Sequence, residues 1–445
     1  MAKDPSSEVL EGNVGFFWPQ DDHKVDLRDA IIERGYISQA PDSFVQVRAL
    51  DEAEVLPGIL MPTSSRPVAL FGSTEKSGIL VPDLMSAGRT GHFGGSKASV
   101  RRYRARSVIS AVDLHTARSS NLTSASLVFS EGLDFAALST LHTKFKSDPH
   151  THLLTEAQFT LKADPAANGG KYGSYELILE PDWSTSEDGS TTNLSTGLSI
   201  TLTVKRPRPF HQFRHLLVGI QDLLNMTYDR FVPAQSGRAV VDGADPSAGR
   251  SYLWLQDTMV RPPHGLGVSR RQESTPLFRL ADLGGSAGLR RWLRLRDQFS
   301  DVAQSISSGH RYGGSRQPSR LLELAAAIEI YVAANRKAGA TWAKKATAPT
   351  PAEALARRVG SPFLALVGDY ATWGERIQDT YNSVKHDPSF ARDPDELRLL
   401  SWSAQVALLC ALLDRAALSK APSRRILSDY RVARGSEDLR KLLGT

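Results

Sequence analysis

Four residues in the stretch Glu375–Phe390, ERIQDTYNSVKHDPSF, have the types and spacing to move a proton beside a charged group: Asp379, Asn382, Lys385 and His386. An imidazole titrates near neutrality, so His386 can accept or donate a proton at physiological pH. Asn382, about one helical turn earlier, can orient that ring, while Asp379 supplies an acid and Lys385 a cation. Glu375, Asp379, Asn382 and His386 recur at spacings of 4, 3 and 4, which places them on one face of an α-helix. Leu366, Tyr370, Trp373, Ile377, Tyr381 and Val384 recur at 4, 3, 4, 4 and 3 and draw an apolar stripe on the roughly opposite face. The histidine therefore points away from the core that the stripe would bury. A solvated face of any amphipathic helix shows the same strip, so the pattern alone does not separate chemistry from solvation.

The elements that must hold this helix are legible around it. Leu289, Trp292, Leu295 and Phe299 predict a first helix, and Leu321, Ala325, Ile328 and Val332 a second, after a loop GHRYGGSRQPS. The stripe from Leu366 to Val384 is the third. Asp393, Pro394 and Glu396 give a cap residue, a first-turn proline and an early acid for a fourth, which continues through Leu399, Trp402, Val406, Leu409 and Leu413. Four such stripes bury one bundle core.

Upstream, residues 13–205 read as strands. Leu198, Ile200, Leu202 and Val204 alternate with Ser199, Thr201 and Thr203, the period of a half-buried strand. Phe159 and Leu161, and Tyr175, Leu177 and Leu179, repeat that alternation. Long polar connections such as ADPAANGG (163–170) and SEDGSTTN (186–193) favour a sandwich or barrel-like sheet over a repeat array. Phe213, Leu217, Ile220 and Leu224 predict a helix over Phe210–Tyr228, and the Pro-, Gly- and Arg-rich stretch 232–280 holds one strand at YLWL (252–255). The expected fold class is α+β with several domains: a β-rich N-terminal sheet or sandwich over 1–235, a connecting segment over 236–284, and an all-α helical bundle over 285–445.

The chain has 445 residues, enough for two domains, and a formal net charge of +6 that is compatible with an acidic partner such as nucleic acid. A single cysteine, Cys410, excludes an intramolecular disulfide framework and a cysteine-rich zinc site, and fits a reducing compartment. MAKDPSSEVLEGN lacks an apolar signal core, and the richest apolar run, Val406–Leu413, is short of the roughly 20 residues that span a bilayer. A cytoplasmic location without membrane association is the expectation.

The hexapeptide Tyr381-Asn382-Ser383-Val384-Lys385-His386, late in a bundle helix, resembles the signature of HEPN domains, in which an arginine followed by a polar residue precedes a histidine. The whole layout resembles the ApeA family of anti-phage proteins, a β-rich N-terminal domain joined to a C-terminal HEPN domain. GFFWP (15–19), LPGIL (56–60) and LFG (70–72) carry the N-terminal likeness. The resemblance implies metal-independent RNA cleavage of abortive-infection type, needing no cofactor, with the N-terminal domain sensing or regulating in response to a phage-derived trigger. It also implies a homodimer or higher homo-oligomer in which two bundles pair their motifs. Tyr381 stands where the family has its arginine, so a catalytically degraded bundle that binds RNA, a nucleotide or a protein is the alternative. Arg376, ten residues before His386, is about 15 Å away along a straight helix.

Other candidates are weaker. Arg290, Arg291, Arg294 and Arg296 follow the glycine-rich LGGSAG (283–288) and, with Arg376, are candidate RNA-facing cations; no P-loop ending is present. Arg102, Arg104 and Arg106 lie on one side of a strand, either facing phosphate or guarding a sheet edge. His211 and His215 have helical metal-pair spacing, and His150 and His152 a strand spacing, but no third ligand accompanies either, so no metal site is expected.

Overall fold

The computed structural model describes residues 8–20, 32–40, 44–51, 67–91, 99–189, 191–244, 251–255, 257–260, 275–313, 316–345, 348–386 and 393–445. The chain forms two compact units: Met1–Ser130 with Thr140–Val218 and Pro233–Arg261, and Glu131–Ser139 with Gly219–Val232 and Pro262–Thr445.

In the first unit, fourteen described strands form one hydrogen-bonded ladder. Its order is Ala167–Tyr172, Tyr175–Asp188, Thr191–Arg208, Leu122–Phe129, Ala234–Val241, Ser251–Leu255, Ser107–Ser110, Gly78–Pro82, Ala69–Thr74, Glu11–Gln20, Glu33–Gln39, Val45–Asp51, Ser99–Ala105 and Met85–Gly91. Neighbours run antiparallel. Alternation sets the register: Leu177 pairs with Leu202 and Leu179 with Ile200, all buried, whereas a one-residue slip would turn these side chains to the other face. GFFWP and LFG lie on paired strands, with Trp18 opposite Phe71 and Phe17 opposite Gly72; LPGIL lies outside the described residues. Gly72 is required there, because a Cβ would stand 2.8 Å from the Phe17 ring.

Three expectations change in this unit. Strands Ala234–Val241 and Ser251–Leu255 are internal to the ladder, so the stretch 236–284 contributes to the sheet. Ser99–Ala105 pairs on both sides, so its arginines guard no edge: Arg101 meets the buried Glu33 at 3.0 Å, and the Tyr103 hydroxyl donates to the same carboxylate. Phe159 and Leu161 are not half-buried. Leu141–Ser147 and Leu154–Leu161 make a separate two-stranded ribbon whose residues are all exposed, Phe145 at 59% and Phe159 at 64%.

The second unit is helical. Its helices from residue 285 onward are Gly285–Gln298, Ser300–Tyr312, Gln317–Lys337, Pro351–Val359, Ser361–Val367, Tyr370–His386, Pro394–Ala417, Ala421–Ser428 and Tyr430–Leu443. They are more numerous than four stripes suggest. GHRY ends the helix Ser300–Tyr312 instead of opening a loop. The stripe from Leu366 to Val384 is broken, because Gly368 adopts φ 80° and ends one helix before Asp369 starts the next. Asp393 caps Pro394–Ala417 as expected, its carboxylate accepting from the Asp395 amide at 2.9 Å. That helix is long and apolar enough to cross a membrane, but 83% of its apolar window is buried inside the protein, as in a core helix. Cys410 lies on it, and burial pushes its thiol well above the ordinary value.

Candidate functional site

Helix Tyr370–His386 is fixed from its first turn. The Asp369 carboxylate accepts from the Thr372 amide at 2.7 Å and the Thr372 hydroxyl at 3.0 Å, satisfying a donor the helix leaves open. Those bonds, the amide first, hold the Asp369 carboxyl below its ordinary range. Trp373 is fully buried; its indole donates to the Ser403 hydroxyl at 2.9 Å and its ring meets Phe363 edge-on at 5.0 Å. At Gly374 the helix touches Pro351–Val359 so closely that a Cβ would lie 2.8 Å from the Glu353 Cβ and from the Thr350 hydroxyl. Ile377, Thr380 and Tyr381 complete the buried face.

The opposite face carries the polar strip. Glu375, Asp379, Asn382, Lys385 and His386 are all exposed. The Asn382 oxygen accepts from Gln378 at 3.4 Å. Lys385 and His386 occupy the last turn, where cations complement the helix dipole, and the Lys385 ammonium sits 5.3 Å from the centre of the Tyr381 ring. The His386 ring has no hydrogen-bond or ion-pair partner among the described residues.

The arginines separate into different jobs. Arg376 pairs with the buried Glu396 at 2.8 Å, tying this helix to the first turn of Pro394–Ala417. Arg291 donates to the Ala416 carbonyl, and Arg296 meets Asp222 at 3.4 Å. Arg290 and Arg294 form no ion pair among the described residues, and Arg294 is exposed. The structure thus brings Asp379, Asn382, Lys385 and His386 onto one exposed face, and it commits Arg376 and Arg291 to structural contacts. His211 pairs with Asp83 at 3.2 Å, while His150 and His152 sit in an exposed turn organised by Asp148. Among the described residues no group of three or more His, Cys, Asp or Glu is placed to hold a metal.

One cluster carries no periodic signal in the sequence. The buried Arg311 guanidinium donates to Asp222 through Nε at 3.1 Å and Nη2 at 2.6 Å, and to the Gln221 oxygen through Nη1 at 2.9 Å. Beside it His310 is buried, its Nε2 3.5 Å from an Asp229 oxygen. Burial, aided by the Arg320 charge, lowers His310 to about 4, so this ring is neutral at pH 7. The cluster is a core network: each of Arg311, Asp222 and Gln221 is enclosed and mutually satisfied.

Residues 33–292 match the family model described as ApeA N-terminal domain 1. No curated protein matches the chain, and no solved structure does. The family match takes in most of the sheet, including Glu33, Tyr103 and the long strands Tyr175–Asp188 and Thr191–Arg208, and it extends over more than half of the sequence. The chain belongs to the ApeA N-terminal domain 1 family, which suggests an anti-phage defence protein.

Proposed function

We propose that this ApeA-family chain is an anti-phage defence protein of abortive-infection type, whose C-terminal helices act as a HEPN-type, metal-independent endoribonuclease controlled through the N-terminal sheet. The supporting observation is the exposed Asn382–His386 pair on a helix whose other face is locked in core, the imidazole being free of partners among the described residues. In the proposed reaction the ribose 2′-hydroxyl attacks the adjacent phosphorus, the 5′-oxygen leaves, and a cyclic phosphate end remains. His386 moves the proton, Asn382 orients the ring or a phosphate oxygen, Asp379 completes the polar strip, and Lys385 offers a point charge without the fork of an arginine. A second copy of the chain brings the remaining cation, with exposed Arg294 and neighbouring Arg290 as candidates to steer RNA toward the paired bundles.

The test compares RNA turnover and phage protection between wild type and His386→Ala. General acid–base catalysis by one side chain contributes about 10²- to 10⁴-fold, so cleavage should fall by that factor and protection should disappear. Equal activity of both proteins removes the catalytic assignment.

A second reading has its own support. Tyr381, at the motif's arginine position, is buried, and Arg376 is held by Glu396. Both facts favour a degraded HEPN bundle that binds RNA, a nucleotide or a protein without cutting. On that reading RNA binding survives His386→Ala and no cyclic-phosphate end appears with any RNA.

A further inference from the structure

The N-terminal unit carries a cationic groove that neither the ribonuclease reading nor the family match explains. Its volume is about 390 Å³, and Lys171, Lys205, Arg206, Arg208, Glu176 and Thr203 line it. That volume lies in the range of pockets that hold small ligands, roughly 300–1,000 Å³.

The sheet builds the groove. Lys171 pairs with Glu176 and Glu176 with Thr203, so the three stand in a row across strands Ala167–Tyr172, Tyr175–Asp188 and Thr191–Arg208, on the face opposite the buried Leu177 and Leu202. Between Thr203 and Arg208 the last strand bulges against Leu122–Phe129, whose Ser124 and Leu122 are the partners of those two residues. A bulge of this kind re-aims side chains, and here the irregular stretch contains Lys205 and Arg206. The floor beneath is anchored, because Tyr175 donates to Gln212 at 3.0 Å and stacks edge-on against Phe213 at 5.2 Å.

The charges in the groove are unspent. Lys171, Lys205, Arg206 and Arg208 form no ion pair among the described residues, and all four are exposed. Four cations face a single carboxylate, Glu176. Clustering four like charges against one carboxylate opposes folding by mutual repulsion, and an anionic ligand relieves it. Glu176 offsets part of the attraction for a bare polyanion. A ligand with phosphates at one end and hydroxyl or amine donors at the other suits both groups, as acidic side chains accept from ribose hydroxyls in dinucleotide sites.

We infer that this groove binds a nucleoside di- or triphosphate, with the phosphates on Arg206, Arg208, Lys205 and Lys171 and the ribose or base donors on Glu176 and the Thr203 hydroxyl. The site lies wholly in the sheet, so it stands or falls independently of RNA cleavage by the helices.

The test titrates the full chain with ATP by isothermal titration calorimetry at low and high salt, with inorganic triphosphate and a single-stranded oligouridine 12-mer as competitors. ATP is expected to bind and to weaken as salt rises. Arg206→Ala/Arg208→Ala should lose about 100-fold, two charge-assisted contacts at roughly tenfold each. Glu176→Ala should weaken ATP while leaving inorganic triphosphate as tight or tighter. An unchanged thermal transition in both variants shows that binding, not folding, was altered; a changed transition directs the same comparison to Arg206→Lys, which keeps charge and loses the fork and should still weaken binding. No ATP binding, binding unaltered in the arginine variants, triphosphate binding as tightly as ATP, or oligouridine binding that ATP cannot displace each overturns the inference.

Discussion

Replacing Gly374 by alanine tests whether the candidate site is held by the close approach of its helix to Pro351–Val359. On an exposed helical surface this change stabilises, because alanine exceeds glycine in helix propensity by about 1 kcal/mol. At Gly374 the new Cβ falls 2.8 Å from the Glu353 Cβ and the Thr350 hydroxyl and 2.9 Å from the Glu353 amide nitrogen. That is about 0.6 Å short of ordinary van der Waals contact, and the Glu353 backbone cannot rotate aside. Overpacking of this kind costs about 1–3 kcal/mol, so the expected net effect is a loss of about 1 kcal/mol after the propensity gain. Urea unfolding followed by tryptophan fluorescence measures it, since the neighbouring Trp373 is fully buried and reports on this contact. A helix pushed outward also drags Asp379, Asn382 and His386 with it, so ligand or RNA readouts at that face should weaken alongside stability. Gly374→Ala more stable than wild type by about 1 kcal/mol would show that the two helices are not in contact there, and the positioning argument would fail.

Three further outcomes follow from the same contacts. Asp369→Ala should cost about 1 kcal/mol through the lost cap, and because the folded carboxyl is held below its unfolded value, the wild-type advantage should be complete above about pH 4 and fade as pH falls below it; urea titrations at several pH values would show an advantage independent of pH if the cap is not made. Asp222→Leu and Arg311→Met each break a buried ion pair and should each lose about 3–5 kcal/mol, whereas the double change should lose less than their sum; additive losses in this double-mutant cycle would mean the pair is not coupled. Limited proteolysis should cut first within the exposed turn between the strands Leu141–Ser147 and Leu154–Leu161, and a ribbon that resists protease longer than the helical core would contradict its full exposure.

Much of the architecture was legible because burial on one face writes a period into the sequence. Leu198, Ile200 and Leu202 gave the strand, and Phe213, Leu217, Ile220 and Leu224 gave a helix whose bounds, Phe210–Tyr228, the structure reproduces. The same logic correctly put Trp373, Ile377 and Tyr381 in the core and Asp379, Asn382 and His386 outside it. Where the reading failed, tertiary context decided. A 3.6 period runs straight through Leu366–Tyr370, but periodicity carries no information on backbone sign, and Gly368 at positive φ with a capping aspartate after it is what breaks the helix. Phe145 and Phe159 alternate with polar residues as a buried strand would, yet they meet only each other edge-on, ring centres 6.2 Å apart, in a ribbon with no third strand among the described residues. Charge was the least legible property. Arg311, Arg376 and Arg296 look like any surface cations in one dimension, and each is spent on a carboxylate far away in sequence: Asp222, Glu396 and Asp222. Subtracting such pairs leaves, among the described residues, cations whose charge is still available, including Arg290 and Arg294 on one helix and Lys171, Lys205, Arg206 and Arg208 in the sheet groove. The groove adds the Thr203 hydroxyl and the Glu176 carboxylate to its cations and shares no residue with the helix pair, so a nucleotide measured on the sheet and an RNA measured on the helices should respond to different substitutions.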